Sequence, residues 1–150
     1  MTGLASNPAF VAYAAALIVL SLNLLALWGY SGAVRGRTRT TPNTEDASTI
    51  ARGATLVEVD PPEVARVLRA HRNAIANIVP FALLGLVYVL AGGSPLIAEI
   101  VFGAFVVARL AHSIAYLGGK QPWRSLSFGA GALATLVLVG FLVRTLVAAA

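Results

Sequence analysis

Four stretches of this chain are too apolar, and each too long, for water to be their solvent. They run from about Ala9 to Tyr30, Ala74 to Leu90, Leu96 to Leu117 and Leu126 to Ala148. Crossing the hydrocarbon core of a bilayer takes about 20 mostly apolar helical residues, at a rise of about 1.5 Å each. Lipid offers no partner to backbone N–H and C=O groups, so each stretch must pair them internally, as a helix. The first is interrupted only by Ser21 and Asn23, and the third carries Glu99, Arg109 and His112. The fourth has Arg144 near its far end, and the second is short but is extended by the helical pattern before it. Composition agrees: 58% of the 150 residues are hydrophobic and 11% are charged, whereas a soluble domain is about a quarter charged. The sequence predicts an all-α fold, an integral membrane four-helix bundle, as one domain over residues 1–150.

A cleavable signal peptide is the competing reading of the first stretch. It needs a basic start and a shorter apolar core, whereas Met1 to Pro8 contains no Lys or Arg. The formal charge of +5 is read as a topology signal rather than as a nucleic-acid footprint. Arg35, Arg37, Arg39, Arg52, Arg66, Arg69 and Arg72 precede the second stretch, and Lys120 and Arg124 lie between the third and fourth. The connection 91–95 and the amino-terminal tail have no basic residue. The positive-inside rule then predicts both termini outside and both basic loops in the cytoplasm. Ten arginines against one lysine point to a GC-rich bacterial genome, hence to a bacterial inner membrane. With no cysteine, disulfides, thiolate metal sites and a protein thiol nucleophile are excluded. The two histidines have no carboxylate at ligand spacing, so no metal site is expected.

Residues 31–73 are predicted to form a cytoplasmic loop followed by a helix extension. Thr38, Thr40, Thr41, Pro42, Asn43 and Thr44 cluster as loop formers. Asp60-Pro61-Pro62-Glu63 reads as a helix start, with Asp60 as the cap and Glu63 as the returning carboxylate. The second helix is expected to begin in water near Pro61, enter the membrane around Asn73 and kink at Pro80. Gly92, Gly93 and Pro95 mark a tight turn.

Ionisable residues at membrane depth are costly and usually face protein or water. Arg109, His112 and Tyr116 stand at i, i+3 and i+7 and share a helix face. Arg66, Arg69, Asn73 and Asn77 recur at helical spacing, flanked by Arg72, and the short third loop adds Lys120, Arg124 and Ser125. All fall in the cytoplasmic half, where they predict a basic, hydrogen-bonding pocket. Arginine forks bind carboxylates and phosphates, so the pocket suits a small polyanion beside the lipid. For Arg66, Arg69, Lys120 and Arg124, anchoring to lipid phosphates is the competing role. Arg109 sits deeper and is expected to pair with Glu99 or with a neighbouring subunit. Ser125 lacks a nucleophile-elbow context, and no phosphate-binding glycine motif occurs.

Arg66-Val-Leu-Arg-Ala-His-Arg-Asn73 followed by Ile78-Val-Pro-Phe81 resembles the signature of the MAPEG family, membrane-associated proteins of eicosanoid and glutathione metabolism. Arg109-Leu-Ala-His-Ser-Ile-Ala-Tyr116-Leu-Gly resembles that family's third helix, and Arg124-Ser125 the pair opening its fourth. Val34-Arg35 and Glu45-Asp46-Ala47 match as well, in the same order. The resemblance implies a homotrimer of four-helix subunits with glutathione bound between neighbours near the cytoplasmic face. It places Arg35, Arg72, Asn73, His112, Tyr116, Arg124 and Ser125 at glutathione-contacting positions, with Arg124 and Ser125 beside the sulfur. Asp46 matches a carboxylate implicated in the family's synthase chemistry, and Arg69 and Arg109 match supporting arginines. A lipophilic electrophile or lipid hydroperoxide would reach the thiolate from the bilayer. Two positions depart from the family: Ala76 replaces a common glutamate, with Asn77 an imperfect substitute, and Phe128 replaces a tyrosine. They keep open a second reading, a non-catalytic trimeric membrane protein that binds another amphipathic anion or a protein partner.

Overall fold

A computed structural model describes residues 3–149. After a 3₁₀ turn at Leu4–Ser6 the chain forms five helices and two short strands. These are α1 (Pro8–Thr38), β1 (Thr40–Thr41), α2 (Thr44–Ser48), β2 (Thr55–Leu56), α3 (Pro62–Leu90), α4 (Pro95–Leu117) and α5 (Trp123–Ala149). The four long helices are each apolar and long enough to span a bilayer; the protein is a multi-pass membrane four-helix bundle.

α1 starts cleanly because Asn7 accepts a hydrogen bond from the Ala9 N–H at 2.9 Å, with Pro8 in the first turn. It continues beyond the apolar run to Thr38, where Arg39 turns into the left-handed region at φ 49 and ends it. Arg35 and Arg37 thus stand in its last turn, where cations complement the helix dipole. β1 and β2 then pair in parallel, Thr40 opposite Thr55 and Thr41 opposite Leu56, with α2 carried in the loop between them.

The start of α3 differs from the sequence expectation. Pro61, not Asp60, occupies the cap position, and no side chain caps the helix. With prolines at both 61 and 62, Asp60 falls one residue too early to reach the free N–H groups. Its carboxylate pairs instead with Arg35 Nη1 at 2.5 Å, tying the end of α1 to the entry of α3. α3 runs unbroken through Pro80.

α1 packs on α3 and α4, and α5 packs on α4 and α3, while among the described residues the backbones of α1 and α5 are not neighbours. The core between them is aromatic. Phe81 stacks on Phe105 with ring centroids 3.6 Å apart, and Phe102 meets Phe81 edge-on at 5.7 Å. Tyr13 adds its edge to Phe102 at 5.8 Å and donates its hydroxyl to the Ala82 carbonyl at 3.0 Å. Gly85 makes this approach feasible: a Cβ there would stand 3.1 Å from the Tyr13 ring and 3.2 Å from that of Phe102. Leu22, Leu25 and Trp28 of α1, Leu83 of α3, Ile100 of α4 and Leu133 of α5 are exposed, as a lipid solvent requires.

Candidate functional site

Polar side chains gather at one end of the bundle, where α1 ends, α3 begins and α4 turns into α5. The turn 118–122 is closed by Lys120 N–H donating to the Ala115 carbonyl at 2.9 Å. Gly119 takes φ +65, and the Arg66 guanidinium fills the space its side chain would need. So tight a turn sets the first residues of α5 directly over the last of α4. Arg124 thereby lies over the Tyr116 ring, 5.0 Å from its centroid, a cation–π contact. The Arg124 carbonyl accepts a hydrogen bond from His112 Nδ1 at 2.9 Å, which fixes that ring's orientation. His112 in turn meets Tyr116 at 5.6 Å and Phe128 at 5.9 Å.

Sequence reasoning missed Gln121. With its amide oxygen facing Arg124, it accepts from Arg124 Nη2 at 2.8 Å and Nε at 3.3 Å, while its nitrogen donates to Ser125 Oγ at 3.0 Å. One amide therefore orients the arginine and the serine together. The signal was present as a Gln three and four residues before that pair, but it is persuasive only once the turn is known.

Asn73 joins the group from α3. Its Oδ1 accepts from Arg109 Nη2 at 2.7 Å. This corrects the expected pairing of Arg109 with Glu99 or a neighbouring subunit. Glu99 is exposed near the opposite end of α4, and Arg109 is fully buried inside this one chain. Asn77 spends its amide on the Asn73 carbonyl at 2.8 Å. Arg69, Arg72 and Ala76 lie on an exposed stripe of α3.

Arg35 and Asp46 form a separate group on the α1 side. They line an open cavity of about 730 Å³ with Arg39, Arg52, Thr41 and Gly36. Asn43 Nδ2 donates to Asp46 Oδ2 at 2.9 Å, and the Thr41 hydroxyl donates at 3.5 Å. The two groups share one end of the bundle, separated by the apolar contacts of Val34, Val64, Val67, Leu68 and Leu117. The structure brings together Asn73, Arg109, His112, Tyr116, Arg124 and Ser125. It leaves Arg35 and Asp46 in the neighbouring cavity and Arg69 and Arg72 on the outer face. Among the described residues no group of three or more His, Asp or Glu could hold a metal ion.

The profile of the MAPEG family matches residues 11–144. The chain belongs to that family. It is 38% identical over 126 residues to human prostaglandin E synthase, covering 82% of this chain and 80% of the relative. The horse prostaglandin E synthase is 37% identical over 124 residues, covering 82% and 80%. Human microsomal glutathione S-transferase 1 is 32% identical over 148 residues, covering 97% and 96%. The MAPEG match therefore takes in every residue of both polar groups, from Arg35 to Ser125.

Proposed function

We propose that this MAPEG protein is a glutathione-dependent membrane transferase or peroxidase acting on lipophilic electrophiles or lipid hydroperoxides. The observation that carries the reading is Arg124 held over Tyr116, with Gln121 fixing both its guanidinium and the Ser125 hydroxyl. The donor set fits the ligand: glutathione has two carboxylates and an ammonium, and the site offers guanidinium, amide, imidazole and hydroxyl groups. Glutathione supplies the thiol, whose pKa of about 8.5 falls beside cations. Arg124 would stabilise the negative sulfur by charge, and Ser125 would donate a hydrogen bond to it. Tyr116, His112, Asn73 and Arg72 would orient the rest of the tripeptide, supported by Arg69 and Arg109. The apolar outer surface of α4 and α5 delivers the second substrate directly from the bilayer.

The assembly proposed is a homotrimer. Among the described residues the backbones of α1 and α5 do not pack as neighbours; the Arg35–Asp46 cavity lies beside the end of α1, and the Arg124 group lies at the start of α5. A neighbouring copy would place one against the other, with Asp46 assisting the chemistry. The reading includes one transmembrane domain, termini outside, basic loops in the cytoplasm and a bacterial inner membrane, on the strength of the arginine distribution. Calorimetry with glutathione, then turnover assays with an aryl halide and a lipid hydroperoxide, test the function. Binding and turnover are expected, and Arg124→Ala should cost about 10²-fold in kcat with oligomer and fold retained. Protein that neither binds glutathione nor turns over defeats the reading.

Two observations favour a non-catalytic binder as the second reading. Ala76 presents only a methyl group on the exposed stripe of α3, and Phe128 brings no hydroxyl to His112. Ala76→Glu decides between them. A charge-assisted contact adds about 1.5–3 kcal/mol, or one to two decades of affinity. Such a gain indicates a glutathione site working with one contact fewer; unchanged affinity indicates a different ligand.

A further inference from the structure

Arg109 is a full charge in the interior of a membrane bundle. It has no exposed surface, and its one hydrogen bond goes to the neutral Asn73 amide. Nε and Nη1 are buried without a protein partner. On the same face of α4, one turn along, His112 is 3% exposed and its Nε2 is also unpaired. Gly131 of α5 gives the arm its room: a Cβ there would lie 3.3 Å from Arg109 Cδ and 3.8 Å from Nη1. The guanidinium therefore sits at the junction of α3, α4 and α5.

The chain has six acidic residues, and none neutralises it. Asp60 is committed to Arg35, the one salt bridge among the described residues. Asp46 is held by Asn43 and Thr41. Glu45, Glu58 and Glu63 are exposed on or beside the loop. Glu99 is exposed and ten residues from Arg109 on α4, about 15 Å at the helical rise. A guanidinium stays protonated at any ordinary pH, and an uncompensated charge in a low-dielectric interior is strongly unfavourable. Bridging water would satisfy the free N–H groups but leave the charge; an anion does both.

We propose that Arg109 binds a small inorganic monovalent anion, of halide size, through Nε and Nη1 inside the bundle. Full burial suits a bare ion rather than the carboxylate end of a peptide. The Asn73 amide, bonded to Nη2, fixes the guanidinium plane and is itself held in place by it. Arg109 hydrogen-bonds to Asn73 and not to the Arg124–Ser125 pair, so the halide comparison is run without thiol and glutathione is added only as a separate control.

Detergent-purified, thiol-free protein is heated in sodium chloride, sodium bromide and sodium gluconate at equal ionic strength. Chloride and bromide should raise the unfolding midpoint saturably by several degrees over gluconate, and Arg109→Gln should abolish the difference. Bromide-soaked crystals of the wild type should show an anomalous peak within hydrogen-bond distance of Arg109 Nε or Nη1, which decides the matter even if the variant does not fold. Equal midpoints in all three salts, a halide effect that survives Arg109→Gln, or the lack of that peak would overturn the proposal. So would stabilisation through Arg109 by glutathione alone, because the counter-charge would then come from the thiol ligand.

Discussion

Replacing Asp60 by asparagine separates two roles that the sequence cannot tell apart. Asparagine caps a helix about as well as aspartate, so a capping Asp60 would tolerate the change. In the structure Asp60 caps nothing and faces Arg35 at 2.5 Å, each side chain 23% exposed. The approach is not aligned for a hydrogen bond, so the contact is chiefly electrostatic. Exposed ion pairs contribute about 0.2–1 kcal/mol, and partial burial with weaker screening moves the value toward about 1 kcal/mol. Asp60→Asn should therefore destabilise by about 1 kcal/mol, or about 2–4 °C in midpoint for a chain of this size. Arg35→Ala should lose a similar amount, and the double variant should lose little more than either alone. A double-mutant cycle by equilibrium unfolding in mixed micelles measures the coupling. Wild-type stability in Asp60→Asn, or additive losses with no coupling, would refute the pairing and restore the cap.

Three further outcomes follow from the packing and the site. Leu138, fully buried on α5, should cost about 2–5 kcal/mol as Leu138→Ala, read as a lowered unfolding midpoint. Gly85→Ala pushes a methyl within 3.1–3.2 Å of two core rings and should cost about 1–3 kcal/mol by overpacking; a neutral result would mean the Tyr13 and Phe102 rings shift freely. Gln121→Leu removes the amide that orients Arg124 and Ser125. On the proposed function, kcat should fall about tenfold, the equivalent of about 1.4 kcal/mol, with the midpoint little changed because Gln121 is exposed.

The helix count was legible because a bilayer imposes it: no other backbone arrangement pairs its own amides over twenty apolar residues. The helical phase of Arg109, His112 and Tyr116 was legible for the same reason, since 3.6 residues per turn fixes which neighbours share a face. The polar loop was read less well. Its helical start, its strand pair and the role of Asp60 depend on one-residue offsets that proline placement shifts. The depth of Arg109 in its span marks it as needing a partner, but the hydrogen bond it makes goes to Asn73 on another helix, 36 positions away, and brings no counter-charge. Gln121 went unnoticed because a glutamine in a loop carries no signal until the turn folds it back on Arg124.

Sequence alone determined that this is a four-helix membrane protein of the MAPEG type with its arginines concentrated toward one end. Periodicity and hydropathy are local properties, and lipid leaves them few solutions. Tertiary structure decided how those arginines divide: Arg124 over Tyr116, Arg35 onto Asp60, Arg109 into the core against Asn73 and Gly131. That choice depends on how three helices cross and how tightly 118–122 turns, and such distances arise only when the whole bundle packs.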